Sequence, residues 1–487
     1  MGSWEQFLVL LLAGAGLVAS LTASTHALLT KRDSRSIIAW VGVVWLSPLV
    51  GSFLYLWLGI NRIERKAKRL RLGNRIWSPP ADDDSEATAD LQAALGPDRR
   101  HLASIPQLIG RITQLPLLSG NSITPLENGD AAFPAMLDAI ENAAQSIALS
   151  TYIFDNDSIG QQFASALKRA HERGVKVRVI IDDMGSRYSW TKMPTVLRRH
   201  GIPCATFIPT LVPWTFHYSN LRTHRKLLVV DGRVGFTGGV NIREGHRLQS
   251  SPRHPIADLH FKLEGPVTAQ LQDVFVDDWY FSTGEILEGE AWFPTLSSSG
   301  SVPKGTIPAR AIPDGPDERL ESFHLSLMGA IAAAENTVRV VTPYFLPDSS
   351  LITALNVAAL RGIEVDIVLP DKNNIPVVNW ASTAMIRQVI ERGCRVWISP
   401  PPFDHTKLMI VDDVVIFFGS SNWDPRSLRL NFELNVECYS LETAAGLTRL
   451  IESKIANSQA MTLESIDAMP IWKKLRNGLA ALGSPYL

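Results

Sequence analysis

Two long apolar runs open the chain and give way to a regular alternation of helical and strand patterns. From Phe7 to Leu29 there are 23 residues without Lys, Arg, Asp or Glu, which at about 1.5 Å per helical residue crosses a hydrocarbon core of about 30 Å. A second uncharged run goes from Ile37 to Ile60, where Pro48 and Gly51 offer a way to bend it into a re-entrant hairpin. A secretory signal fits the first run poorly. No Lys or Arg precedes it, it exceeds the apolar stretch of a signal, and a second run follows at once. Trp40, Trp45, Tyr55 and Trp57 fall partly at the ends of the second run, as interface anchors do; burial against the first helix is their other use. Residues 1–75 therefore read as a membrane anchor.

Residues 76–120 read as a connector, with Pro79-Pro80, the acidic run Asp82-Asp83-Asp84 and no strong period. From Gly129 onward the pattern is α/β. An apolar helical stretch through Met136, Leu137 and Ile140 leads to a strand at 147–154. A helix over Gly160–Arg173 stops at Gly174, and Val175–Ile181 reads as a buried strand ending at Asp182-Asp183. The plan then repeats: a helix near Leu325–Ala334, a strand Val338–Phe345, a helix Leu351–Arg361 stopped by Gly362, and a strand Ile363–Leu369. Residues 287–318, rich in Ser, Gly and Pro, suit a linker. The expected organisation is two similar α/β domains, 121–286 and 319–487, from one duplicated plan.

Charge adds direction. Lys and Arg number 47 against 48 Asp and Glu, a net charge of −1, so there is no overall positive field to hold a nucleic acid. Locally, the short connector carries Lys31, Arg32 and Arg35, whereas Arg62, Arg65, Lys66, Lys68, Arg69, Arg71 and Arg75 follow the second run. That excess favours a cytoplasmic body, and the 62–75 collar suits an anionic lipid surface. Three cysteines with no C-x-x-C pair leave neither a disulfide framework nor a cysteine zinc site, which fits a reducing compartment.

The chemistry sits in a repeated constellation. His224-Arg-Lys226-x4-Asp231 is matched by His405-Thr-Lys407-x4-Asp412, and Gly238-Gly239-Val-Asn241 by Gly419-Ser420-Ser-Asn422; every matched pair is 181 residues apart. In a strand, residues i and i+2 face one side, so each His and Lys project into one space. Any single member reads as an ordinary structural histidine or solvated lysine, but a shared register over five pairs does not. Two imidazoles, two ammoniums and two amides around a phosphodiester are a kit for displacement without metal. A neutral His attacks phosphorus, the protonated one serves the leaving alkoxide, and the Lys and Asn groups neutralise the equatorial oxygens. The two His need opposite protonation states, and each needs a partner on its second nitrogen. No H-x-H or H-E-x-x-H supports zinc, and the pairs Asp182-Asp183, Asp277-Asp278 and Asp412-Asp413 read as strand-end residues rather than a two-metal site. No metal and no cofactor are expected.

The duplicated H-x-K-x4-D resembles the defining motif of the phospholipase D superfamily. Ser47-Pro48-Leu49-Val50-Gly51, Tyr152-Ile-Phe154, Thr342-Pro-Tyr-Phe345 and Asn422-Trp-Asp-Pro-Arg-Ser-Leu-Arg-Leu-Asn-Phe-Glu433 make it similar to the bacterial cardiolipin synthases within it. The resemblance implies two phospholipase D-type α/β domains behind the anchor. It also implies transfer of a phosphatidyl group from one phosphatidylglycerol to another, giving cardiolipin and glycerol. Carried over by motif, His224 is the nucleophile, His405 the acid and then base, and Lys226, Lys407, Asn241 and Asn422 the phosphate ligands. Asp258 and Glu433 orient the imidazoles, while Asp231 and Asp412 hold loops. Gly239 departs from the Ser that many members carry there, which puts a first-half hydroxyl contact in question.

The partners so implied are phosphatidylglycerol and other anionic phospholipids in the bilayer of a bacterial inner membrane; self-association is left open. Two stretches suit contact with that bilayer: Phe207–Leu221, with Trp214, Phe216 and Tyr218, and the C-terminal Ile471, Leu475, Leu479 and Leu482 on one helical face beside Trp472, Lys473, Lys474 and Arg476. Core packing is the competing use of both. A hydrolase making phosphatidic acid would use the same residues, so no motif separates the two reactions. A nuclease would want a basic groove, and a non-catalytic scaffold would not keep two matched sets of His, Lys and Asn.

Overall fold

The computed structural model describes residues 3–31, 34–59, 83–188, 191–208, 221–294, 305–316 and 321–484. The 62–75 collar, Pro79-Pro80, most of the 207–221 stretch and the Ser-rich part of the linker lie outside the described residues. The chain divides into two units, an N-terminal segment and a larger body.

In the N-terminal unit, α1 (Ser3–Thr30) is long and apolar enough to cross a membrane by length and composition. The second run is not one helix. It divides into α2 (Ser34–Leu46), α3 (Pro48–Leu54) and a single π-turn at Tyr55–Gly59. Pro48 is the cause: it begins α3 after a non-helical Ser47, where its missing N–H costs nothing. Gly51 brings α3 close to α2, since a Cβ there would lie 2.3 Å from the Val43 carbonyl oxygen. Polar pairs tie the pieces together. The Ser20 hydroxyl donates to the Val44 carbonyl at 3.1 Å, Trp45 Nε1 donates to Ser24 at 3.1 Å, and His26 meets the Tyr55 hydroxyl at 2.8 Å. The aromatic residues divide accordingly: Tyr55 is buried against Trp40, whereas Trp45 and Trp57 are exposed.

The body holds seventeen strands among the described residues. The first half contributes β1 (Leu118–Glu127), β2 (Ser146–Thr151), β3 (Lys176–Asp182), β4 (Cys204–Phe207), β5 (Leu227–Val230), β6 (Val234–Gly238), β7 (Ile256–Ala257) and β8 (Leu259–Glu264). The second contributes β9 (Ile307–Asp314), β10 (Thr337–Val341), β11 (Glu364–Pro370), β12 (Arg395–Ser399), β13 (Phe403–Asp404), β14 (Leu408–Val411), β15 (Val415–Gly419), β16 (Glu433–Tyr439) and β17 (Gln459–Met461). Fifteen form one mixed sheet in the order β17-β12-β11-β10-β14-β15-β16-β9-β1-β8-β6-β5-β2-β3-β4. Read outward from the β1–β9 junction, the two halves run β1-β8-β6-β5-β2-β3-β4 and β9-β16-β15-β14-β10-β11-β12. The same plan therefore appears twice.

Side-chain alternation builds the layers. Ile147 and Leu149, Val177, Val179 and Ile181, and Leu228 and Val230 pack under the helices Asn128–Glu141 and Ser158–Glu172. Their neighbours Ala148, Ile180, Leu227 and Val229 point the other way into a core that also receives Leu408, Ile410 and Val368 from the second half. Both faces being covered, these strands read as continuous apolar runs. Across the shared core Phe261 stacks on Phe418 with ring centroids 3.7 Å apart.

Two segments differ from the sequence expectation. Residues 83–113, read as a connector, form helices whose Leu95, Leu102, Ile105 and Ile109 sit in the core of the second half beside Phe323 and Leu327. The span 287–318, read as a linker, contains β9 at the middle of the sheet. Here buried Arg310 pairs with Glu437 and donates to the Leu115 and Pro106 carbonyls.

Candidate active site

Each His-x-Lys segment enters the site through backbone bonds to the opposite half. The N–H of His224 donates to the Phe432 carbonyl at 2.9 Å, and Phe432 returns its N–H to Arg222 at 2.8 Å. The N–H of His405 donates to the Ala257 carbonyl at 2.7 Å, where β13 and β7 pair in parallel. Asp182, read as a strand-end residue, also accepts from the Thr223 N–H at 3.1 Å and so holds the approach to His224.

The side chains cross over in the same way. His224 Nδ1 lies 3.1 Å from the Glu433 carboxylate and 3.0 Å from the Ser420 carbonyl oxygen, both of the second half. His405 Nδ1 lies 2.8 Å from Asp258 of the first half. Asp258 stands just before β8 and Glu433 begins β16, the counterpart strands, so the two carboxylates hold equivalent places. The imidazole centroids are 6.5 Å apart at 78°. Lys226 Nζ donates to the His224 carbonyl at 2.6 Å, and Lys407 Nζ lies 2.9 Å from His405 Nδ1. Asn241 Oδ1 accepts from the Ile153 N–H at 3.2 Å, and Asn422 Nδ2 donates to the Ser427 hydroxyl at 3.2 Å. His224, Lys226, Asn241, Asp258, His405, Lys407, Asn422 and Glu433 are all buried. They form one centre across the two halves.

Asp231 and Asp412 are elsewhere. Asp231 accepts from the N–H groups of Ala144, Gln145 and Ser146, and Asp412 from those of Glu335, Asn336 and Thr337. Each caps the loop that leads into β2 or β10. Asp412 has a further partner in His101, 2.7 Å away.

The Gly239 departure has a local reason. A Cβ at Gly239 would lie 2.1 Å from Asp258 Oδ1, so the missing side chain makes room for that carboxylate. In the second half the Ser420 hydroxyl donates to Glu433 at 2.5 Å. The serine of this motif serves a carboxylate rather than an open phosphate position.

Burial and the neighbouring lysines push both imidazoles down, His405 well below its ordinary value, while Glu433 pulls His224 back up. Burial brings Lys226 to about 7 and Lys407 to about 8. Glu433 is held low by His224 against its own burial, and Asp258 is raised by burial. A phosphodiester placed beside these lysines adds negative charge that favours their protonated forms.

One buried residue escaped the sequence reading. His246 accepts from the Asn241 N–H on Nε2 at 3.3 Å, and its ring centroid lies 6.5 Å from that of His405. Its Nδ1 has no hydrogen-bond partner among the described residues. The 181-residue offset pairs it with Ser427, the partner of Asn422, a signal that could have found it.

A family model described as "Cardiolipin synthase, PLD-like domain" matches residues 136–250 and 327–455. A protein of Staphylococcus epidermidis named cardiolipin synthase 2 is 30% identical over 98% of both chains. A Pseudomonas putida protein named cardiolipin synthase A is 30% identical over 96% of both. Among solved structures, phosphatidylserine synthase of Haemophilus influenzae superimposes with a TM-score of 0.61 at 14% identity, over 79% of this chain and 100% of that one, a likeness of fold.

Proposed function

We infer the reaction from one premise: the chain belongs to the cardiolipin synthase family with the PLD-like domain. It is a phosphatidyltransferase that joins two phosphatidylglycerol molecules into cardiolipin and releases glycerol. The observation that carries the residue assignments is the crossed pairing of His224 with Glu433 and of His405 with Asp258.

His224 Nε2 attacks the phosphorus of the first phosphatidylglycerol. The bond from phosphorus to the glycerol headgroup oxygen breaks, and His405 protonates that oxygen so that glycerol leaves. His405 then takes the proton from the headgroup hydroxyl of the second phosphatidylglycerol, whose oxygen displaces His224 from phosphorus. Lys226, Lys407, Asn241 and Asn422 hold the non-bridging oxygens through both displacements.

Two considerations bear on which His attacks, and they pull apart. The deeper depression of His405 would make it the neutral partner. The hydrogen bonds favour His224: its Nδ1 faces only acceptors, Ser420 O and Glu433, so the proton stays there and Nε2 keeps its lone pair. His405 Nδ1 faces one carboxylate and one ammonium, which suits a group that gains and loses a proton. The hydrogen bonds of His224 persist when substrate arrives, whereas bound phosphate offsets the charge of the lysines that helps to depress His405.

The body lies on the cytoplasmic side of a bacterial inner membrane, with the N-terminal unit inserted in the bilayer; α1 and the excess of cations at 62–75 support this. A reporter enzyme fused after residue 75 and active only outside would overturn that side. The reaction itself is tested with purified full-length protein in detergent, phosphatidylglycerol and EDTA, followed by lipid analysis. Cardiolipin and glycerol are expected; phosphatidic acid as the sole product would make the protein a hydrolase.

A further inference from the structure

The C-terminal helix, Ile471–Leu482, packs on the helix Pro376–Ile390 by a narrow strip and leaves its broad apolar side uncovered. Asn477 and Ala480 are buried, whereas Ile471, Trp472, Leu475, Leu479 and Leu482 are 58–77% exposed. Ile471, Leu475, Leu479 and Leu482 follow helical spacing along one side. Elsewhere in the body, among the described residues, large exposed apolar side chains come singly or in pairs. Core packing is thus excluded as the use of this face.

The surrounding charge says what covers it. The helix carries Lys473, Lys474 and Arg476 and no Asp or Glu. Lys473 Nζ stands 5.6 Å from the centre of the Trp472 ring, and the Arg476 guanidinium lies over Trp380 at 4.4 Å. Cations and a tryptophan beside an apolar stripe match the headgroup zone of an anionic bilayer.

The helix is also wired to the site. Ala480 packs in a small core cluster with Leu346, Val378 and Ala381, and Tyr344 and Ala481 border that cluster. The Tyr344 ring is 6.3 Å from the His405 ring, and its hydroxyl donates to Asn374. We propose that the helix Ile471–Leu482 lies in the surface of an anionic bilayer and, through its cluster with Tyr344, sets the His405 side of the site at the lipid surface where the substrate headgroup enters. This rests on the phosphatidylglycerol reaction above.

The test compares full-length protein with its Leu475→Gln/Leu479→Gln variant in two formats, phosphatidylglycerol in vesicles and phosphatidylglycerol dispersed in detergent micelles. Loss of two interfacial leucines is expected to slow cardiolipin formation in vesicles about tenfold, leave it within about twofold in micelles, and leave the thermal midpoint unchanged. A Lys473→Gln/Lys474→Gln variant is expected to lose rate as vesicles are diluted with neutral phosphatidylcholine, more steeply than the parent. Equal rates in vesicles, or equal losses in both formats, overturn the proposal. So does a change of oligomeric mass in micelles, which would assign the face to a second copy of the chain. Cardiolipin formation by the parent in micelles reports on the reaction alone, so failure of that reading would be seen separately.

Discussion

His405 Nδ1 lies 2.8 Å from Oδ2 of Asp258, a carboxylate 147 residues earlier and in the opposite half of the body. Neither half therefore holds a complete acid–base pair of its own. An Asp258→Asn change keeps an oxygen for the Leu259 N–H, which Asp258 Oδ1 accepts at 2.8 Å, but withdraws the charge that stabilises an imidazolium. We expect kcat to fall about 10²- to 10⁴-fold with little change in thermal midpoint. Glu433→Gln should do the same through His224. Full activity in either variant, measured as cardiolipin formed, would remove the carboxylates from the mechanism.

The two imidazoles are distinguishable by what accumulates. With His405→Ala the first displacement lacks its acid and the second its base; a phosphatidyl ester of an acidic phenol needs no acid to leave, so with it a phosphatidyl adduct on His224 should build up and be detected by mass spectrometry. With His224→Ala no adduct is expected. An adduct on His405 in that variant would reverse the assignment.

Much of this site is legible in the sequence, because the chemistry is repeated: a 181-residue offset shared by His, Lys, Asp, Gly and Asn exposes the centre without knowledge of the fold. Buried strands such as β3 and β11 were legible too, since both faces are covered and the apolar run is continuous. What escaped has local causes. β9 spans Ile307–Asp314 and contains Pro308, Pro313 and Arg310, signals that argue against a central strand; its place is set by long-range pairing with β1 and β16 and by the Arg310–Glu437 pair. The helices in 83–113 spread their apolar residues over three short pieces, and only the last, Ser104–Thr113, sets them on one face, too briefly for the period to stand out. Asp258 and Glu433 sit at different distances from their motifs, and only the resemblance to a family pointed to them.

Gly239 offers a sharper test of the first half. Because a Cβ there would meet Asp258 Oδ1 at 2.1 Å, Gly239→Ser should push the carboxylate away from His405 and reproduce the rate loss of Asp258→Asn. Ser420→Ala is the contrasting change. It removes a donor to Glu433 and the acceptor of the Leu434 N–H, at about 1–3 kcal/mol of stability. We expect the first variant to lose rate more than stability and the second to lose both. Wild-type activity in Gly239→Ser would show that Asp258 tolerates displacement.

The lysines tie activity and stability to pH in opposite directions. With Lys226 at about 7 and Lys407 at about 8 in the free protein, raising pH removes the ammoniums that receive the phosphodiester. Hence kcat/KM should decline as pH rises through 7 to 8, while kcat holds to higher pH because bound phosphate favours the charged lysine. For stability the sign is reversed. A lysine whose folded pKa lies below its unfolded value of about 10.4 is bound by more protons when unfolded, so its contribution improves as pH rises from about 7 to about 10. A Lys226→Met variant avoids the buried charge altogether. It should melt above the parent at pH 6, lose that advantage as pH approaches 10, and bind phosphatidylglycerol poorly throughout. A melting difference that stays constant with pH would mean that Lys226 has the same pKa folded and unfolded and so stays charged in the folded protein through this range.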